Sequence, residues 1–382
     1  MSRRLRVALD VTAIPADALG AGRYCHELAR VLGGRGDVGL TLVARRGDAA
    51  RWVELAPTSS VAAVAPTGRV RRVLWEEVRL GPALARIAPE ADVVHGPHYS
   101  LPARARPPGV VTVHDLTFVD HPEWHERAKV AYFRRALRLA LERASVVVCV
   151  SDRTARRFTA LYGSFPPVRV VPHGVDHGRF RPGEATPGAD ASVLSRLEVR
   201  EPYVLYTGND QPRKGLSTLV AAFGLLAAEH ASLSLVLAGG GGWGTSGLAA
   251  ALDDLSRARI VRLGHVADAD LPSLVRRASA VAYPSLEEGF GLPVLEALAC
   301  GTPVVTTRDT SMSDLAGSSA LAVPPSDPAA LAGAILELLA GGDAVQRRRA
   351  AGLERAAGFT WEASAEGHVE AYLQAVRAGR TH

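Results

Sequence analysis

Residues 285–301 read SLEEGFGLPVLEALACG and follow the apolar run AVAYP, a strand-like stretch. Gly289, Phe290, Gly291 and Leu292 precede Pro293, which suits the first turn of a helix because the N–H it lacks is unpaired there anyway. Gly301 is placed to end that helix in a left-handed conformation. Backbone amides at such a helix start, with the helix dipole behind them, can surround a diphosphate. Glu288 in the loop and Glu296 in the first helical turn bracket the anion site. Carboxylates accept hydrogen bonds only, which suits sugar and ribose hydroxyls. Without the glycines, Glu296 would merely complement its helix dipole and Glu288 would be a solvated loop residue.

A second motif runs from Tyr206 to Gly215 as YTGNDQPRKG, between a strand pattern and the helical run STLVAAFGLL. Gly208 opens the loop. Arg213 and Lys214 are adjacent cations able to neutralise a leaving diphosphate through charge-assisted hydrogen bonds, which makes a metal unnecessary. A third motif, GAGRY, starts the first long helix; Gly20 and Gly22 do not complete a dinucleotide fingerprint, because position 25 is Cys25, but their amides can approach a phosphate. The fourth is His114-Asp115, ending the strand VVTVH, where His114 can bond a sugar hydroxyl and Asp115 can cap the following turn. Asp268 and Asp270 have the spacing of a metal-binding pair. They directly precede Leu271-Pro272 and a helical pattern, so capping is the expected role and no metal or other cofactor is expected.

The elements that position these residues alternate along the chain. Short runs such as RVALD, LTLVAR, DVVHG, VVTVHD and SVVVCVS are separated by helical patterns, among them RVLWEEVRLGPALARI and residues 127–143. After a Pro-, Gly- and Ala-rich stretch at 181–200 the alternation restarts with YVLYTG, LSLVLAG, IVRLG, AVAYPS and PVVTT. That order implies α/β architecture with two doubly wound parallel sheets, each covered by helices. The expected domains are 1–180, with a helix from about Trp361 to the end packing back on it, and 181–360. Ligands of such sheets sit at the carboxyl ends of the strands, so two facing units would place every motif along one cleft.

Composition narrows the class. With 47% apolar and 22% charged residues in a chain of 382, the protein reads as a well-packed globular one. Its apolar runs are far too short to span a bilayer. No export signal is visible in MSRRLRVALD, and Cys25, Cys149 and Cys300 stand singly, so a cytoplasmic, reducing compartment is expected. A net charge of +5 without interleaved aromatics excludes a nucleic-acid surface. The helix at 127–143 puts Val130, Phe133, Leu137 and Leu141 on one face and Arg127, Arg134, Arg135 and Arg138 largely elsewhere. An ordinary core-facing helix is the favoured reading, with peripheral contact to the inner membrane face left open.

Taken together, EGFGLPVLE, PRKG, GAGRY, VTVHDLTF and VPHGVD resemble glycosyltransferase family 4, of the GT-B fold, in order and over nearly the whole chain. The resemblance implies a nucleotide-sugar donor and retention at the anomeric carbon, the acceptor hydroxyl attacking the face from which the diphosphate leaves. It implies that Glu296 binds the donor ribose, Glu288 a hydroxyl of the transferred sugar, and Arg213 and Lys214 the diphosphate. His114 would meet the sugar near its C6 hydroxyl, Gly22 the phosphate, and His265, Val266 and Leu271 the base. Two departures stand out: Asn209 replaces a second arginine found in some members, in a loop one residue shorter, and Asp314 stands where glutamate is commoner. The versions of PRKG and VHDLTF here resemble bacterial mannosyl- and rhamnosyltransferases, which makes GDP-mannose the first choice of donor and UDP- and dTDP-sugars the alternatives. The acceptor is a saccharide, a lipid-linked sugar or a natural product. An epimerase or hydrolase of the same architecture would need its own acid–base set, and a non-catalytic binder would hold donor without turnover.

Overall fold

The computed structural model describes residues 3–15, 20–227, 229–240 and 259–379. It divides into two compact units, one formed by residues 1–174 with 361–382 and the other by 175–360. The first sheet contains β1 (Leu5–Asp10), β2 (Val38–Arg45), β3 (Ser60–Ala65), β4 (Val93–Gly96), β5 (Gly109–Val113), β6 (Ala144–Cys149) and β7 (Val168–Val170). The second contains β8 (Tyr203–Thr207), β9 (Ser234–Ala238), β10 (Ile260–Gly264), β11 (Ala280–Tyr283), β12 (Val304–Thr307) and β13 (Ala320–Val323).

Strand order is β3-β2-β1-β4-β5-β6-β7 in the first sheet and β10-β9-β8-β11-β12-β13 in the second, with every pairing parallel. The near-continuous β-branched runs VVTV, SVVVC, VVTT and their neighbours explain this, since strands covered on both faces have no polar side to present. Each order reverses once, between β1 and β4 and between β8 and β11. The crevice beside such a switch point is where open α/β sheets bind ligands.

Helix ends follow local chemistry. Ser151 caps the helix Asp152–Tyr162 by accepting the Thr154 amide at 3.1 Å, and Asp327 caps Pro328–Ala340 by accepting the Ala330 amide at 2.9 Å. The terminal helix Trp361–Gly379 belongs to the first unit, and buries Trp361, His368, Val369, Tyr372 and Ala375.

Several elements differ from the sequence reading. The division between units falls at Gly174/Val175 rather than 180/181, and the stretch 181–200 carries a helix, Ala189–Arg196, pinned by a two-pronged pair from Arg276 to Asp190 at 2.8 and 2.7 Å. RVLWEEVRLGPALARI breaks into two helices, Arg69–Val78 and Leu80–Ile87, because Pro82 has no N–H for the Val78 carbonyl and its ring crowds that carbonyl. The helix expected over 127–143 ends at Leu141, with Val130, Leu137 and Ala140 buried and Phe133 packed on the same core.

Candidate active site

The second unit gathers most of the expected donor residues at the carboxyl edge of its sheet. Gly208 follows β8, and its amide donates to the Ala238 carbonyl at 2.8 Å; the Gly239 amide in turn donates to the Gly264 carbonyl at 2.7 Å. The loops after β8, β9 and β10 are thus tied side by side. His265 is exposed at the end of β10 and Val266 is half-buried, while Leu271 starts the helix Leu271–Arg277. Across the switch point, β11 feeds Ser285, Glu288 and the glycine loop into the helix Leu292–Ala299, which has Pro293 in its first turn.

Between the loops after β8 and β11 stands an ion cluster. Glu288 Oε2 accepts from Arg213 Nη1 at 2.9 Å, and its Oε1 accepts from Lys214 Nζ and from Ser285 Oγ at 3.2 Å. Lys214 Nζ also donates to Tyr283 Oη at 2.7 Å. The backbones lock together as well, with the Leu286 amide donating to the Arg213 carbonyl at 2.7 Å and Arg213 Nη1 to the Glu287 carbonyl at 3.1 Å. Gly215 makes this approach possible: its φ is +65°, and a Cβ would fall 2.0 Å from the Pro284 carbonyl oxygen. Burial would push the Glu288 carboxyl up, but the charges of Lys214 and Arg213 outweigh it and hold the pKa at about 2.

Gly291 takes φ +109° before the helix, and a side chain there would strike Met312 at 2.7 Å. Gly289 and Phe290 complete the loop, Phe290 being buried edge-on against Phe359. Glu296 is only 4% exposed and is the fifth residue of the helix, a turn further in than the sequence suggested. Dipole complementation therefore does not account for it. Asp270 corrects another expectation. It occupies the N-cap position without capping, and its carboxylate instead receives Arg196 at 2.7 and 3.1 Å. Among the described residues no group of three or more His, Cys, Asp or Glu is arranged to hold a metal ion.

The first unit carries Gly20, Gly22 and His114. Gly20, with φ +53°, immediately precedes the helix Ala21–Gly34, in which Gly22 is buried. His114 follows β5 and is buried; its Nε2–H donates to the Pro97 carbonyl at 2.8 Å, which leaves Nδ1 as the ring's acceptor. Burial lowers its pKa, so the ring is neutral. Asp115 Oδ1 accepts the Thr117 amide at 3.1 Å, as a cap of the next turn.

Around His114 lies a set of rings with no role expected from the sequence, although Tyr24 stands in GAGRY and His173 in VPHGVD. Tyr24, His98, Tyr99 and His173 place their rings 5.1 to 5.8 Å from it. Behind them runs a hydrogen-bond chain whose direction follows from its first acceptor, a carbonyl. His368 Nδ1–H donates to Ser364 O at 2.7 Å, so His368 Nε2 accepts from Tyr24 Oη at 2.8 Å. Tyr24 then accepts from Thr112 Oγ1 at 3.0 Å, Thr112 from His95 Nε2 at 2.8 Å, and His95 Nδ1 from Tyr372 Oη at 2.8 Å. Every ring in the chain is neutral, in keeping with burial that lowers both histidine pKa values, His368 to about 4. The sequence did hold a signal: Ser364, His368 and Tyr372 recur at four-residue spacing on one helix face.

The second unit matches the family model described as "Glycosyl transferases group 1" over residues 201–341, and the first matches "Glycosyltransferase Family 4" over residues 19–179. The chain is 33% identical over 287 residues to the O-antigen chain mannosyltransferase B of Escherichia coli, covering 73% of this chain and 74% of that one. It is also 33% identical to the D-inositol 3-phosphate glycosyltransferase of Acidothermus cellulolyticus, over 96% of this chain and 88% of the relative. Among solved structures, HepE of Anabaena in complex with UDP and glucose superposes with a TM-score of 0.75 at 20% identity, covering 96% of this chain and 99% of that one. The family matches and these relatives make this protein a glycosyltransferase, and its two parallel-sheet α/β domains are of the GT-B type. The chain belongs to glycosyltransferase family 4.

Proposed function

We propose that this enzyme transfers mannose from GDP-mannose, with retention and without a metal, to a hydroxyl of a saccharide, lipid-linked or natural-product acceptor. The observation that carries this reading is the ion cluster of Arg213, Lys214 and Glu288 at the switch point of the second sheet. Two cations and one carboxylate leave a net positive charge beside the amides before Pro293, which favours the negative charge that develops on a departing diphosphate. With that charge supplied by side chains, no metal is required of the site. The ionised Glu288 has no proton to donate, so it serves as acceptor for a sugar hydroxyl and as anchor for the two cations.

The rest of the site is assigned accordingly. Glu296 receives the ribose hydroxyls, Gly22 and the glycine loop approach the phosphates, His265, Val266 and Leu271 hold the base, and His114 accepts a sugar hydroxyl at Nδ1. The acceptor oxygen forms its bond to the anomeric carbon as the phosphate oxygen leaves on the same face, and that phosphate oxygen takes the proton. The similarity to a mannosyltransferase supports mannose. Three buried thiols without a disulfide support a cytoplasmic setting.

A thermal-shift and slow-hydrolysis screen against GDP-, UDP-, dTDP- and ADP-sugars in EDTA tests this, with Glu296→Ala as control. Stabilisation by GDP-mannose that persists in EDTA and vanishes in the variant is expected. Selective response to another nucleotide would replace the donor, and dependence on a divalent ion would overturn the metal-free site.

A further inference from the structure

The loop between β10 and the helix Leu271–Arg277 has little cover of its own: His265, Ala267, Asp268 and Ala269 are all exposed. Backbone of this kind samples many shapes unless something outside the loop takes hold of it. Its first end is tied where the Gly239 amide donates to the Gly264 carbonyl at 2.7 Å. Further along, two arginines reach it from the segment that precedes β8. Arg179 Nη2 donates to the Asp268 carbonyl, and Arg196 grips the Asp270 carboxylate with both Nη atoms, at 2.7 and 3.1 Å. Asp268 and Asp270, which have the spacing of a metal-binding pair, are thus the handles by which the loop is held.

The two arginines are themselves fixed from behind. Arg276, near the far end of the same helix, is 7% exposed at its side chain and meets the Asp190 carboxylate at 2.8 and 2.7 Å. Its Nη1 also donates to the carbonyls of Arg179 and Arg181, both at 3.3 Å. Asp190 lies in the helix Ala189–Arg196, whose last residue is Arg196. The contacts therefore close a ring, from Arg179 to the loop, along the helix Leu271–Arg277 to Arg276, and back to the Arg179 carbonyl. An arginine whose backbone is pinned in this way fixes what its side chain touches, as a free surface arginine does not. We propose that Arg179 and Arg196 are positioning residues that hold the loop after β10 in the shape that reads the nucleotide base. They act through the loop, by removing the cost of ordering it when the base arrives. This inference rests on the assignment of the base to His265, Val266 and Leu271.

Calorimetric titration of GDP, UDP and inorganic pyrophosphate into the full chain tests it. The wild type, Arg179→Ala/Arg196→Ala, Arg179→Lys/Arg196→Lys and Leu271→Ala are compared. The alanine pair should weaken GDP about tenfold, the scale of two partly exposed charge-assisted contacts, and leave pyrophosphate, which has no base, as before. The gap between GDP and UDP should narrow, the donor KM should rise by a similar factor with kcat kept, and the lysine pair should recover part of the loss. Equal weakening of GDP and pyrophosphate would make the arginines a general brace of the second unit and overturn the proposal. GDP binding unchanged in the alanine pair would overturn it too. Leu271→Ala separates the proposal from the assignment beneath it: if this change weakens GDP and the alanine pair does not, only the role of the arginines falls, and if neither does, the base assignment falls with it.

Discussion

The two switch points solve the burial of polar groups in opposite ways. In the second unit, opposite charges are packed together: Arg213 and Lys214 against Glu288, whose pKa is driven to about 2. In the first unit, the chain from Ser364 to Tyr372 is neutral throughout and gets its order from the direction of its hydrogen bonds. The charged cluster suits a ligand that is itself charged. The neutral chain is fully buried, and its directed hydrogen bonds fix the terminal helix against the strands of the first unit.

Acid separates the two most strongly. Burial depresses the pKa of His95, His114, His173 and His368, so the unfolded chain binds more protons than the folded one below about pH 6.5. Their stabilisation is complete above that pH and is lost as pH falls. Glu76, raised to about 7 by burial and by Asp10, opposes this, because it is protonated when folded and ionised when unfolded above the usual carboxylate range. Five histidines whose pKa burial lowers, His98 included, outnumber the two carboxyls, Glu76 and Asp10, that burial raises, so the first unit loses stability as pH falls below about 6.5. Glu288 works in another window: its contribution is full above about pH 4.5 and disappears as pH falls through about 2. Hydrogen exchange read by mass spectrometry at mildly acidic pH should therefore show the strands of the first unit opening before those of the second. Simultaneous opening would erase the contrast.

Smaller effects sharpen it. Lys214→Ala should lower kcat/KM by about a hundred- to a thousandfold, as expected for removal of a group aimed at developing charge. Steady-state kinetics with the donor in excess would show it. Glu288→Gln should reduce turnover about a hundredfold yet leave GDP binding as tight as before or tighter, because the cations keep their place while the cluster gains positive charge. An equal loss of GDP affinity would make Glu288 only a structural partner. Thr112→Val interrupts the neutral chain and should cost about 1 to 3 kcal/mol in urea unfolding, with GDP affinity untouched.

The alternation of strands and helices was legible because buried parallel strands and amphipathic helices have different periods. That the loops after β8 and β11 lead into helices at the carboxyl edge of the second sheet was legible too, since glycines and Pro293 carry local meaning. The ion cluster itself was not. Lys214 and Glu288 meet because β8 lies beside β11, a crossover that no periodicity records. The hydrogen-bond chain escaped for the same reason, joining His95 on β4 and Thr112 on β5 to His368 and Tyr372 on the terminal helix. Asp270 looked like a cap, and its sequence position is right, but Arg196 competes successfully for its carboxylate. For the helix Arg69–Val78 the sequence named no covered face; Trp75 packs on the core and Glu76 turns toward Thr12 and Arg72, which leaves Val70, Leu74 and Val78 outside.

The most direct test of the donor site is calorimetric titration of GDP into the full chain and into Lys214→Ala, in EDTA. Loss of a buried, hydrogen-bonded charge partner should weaken binding by about 2 to 5 kcal/mol, provided the variant's melting curve shows that it is folded. A folded Lys214→Ala protein that binds GDP as tightly as the wild type would contradict the assignment of this cluster to the diphosphate.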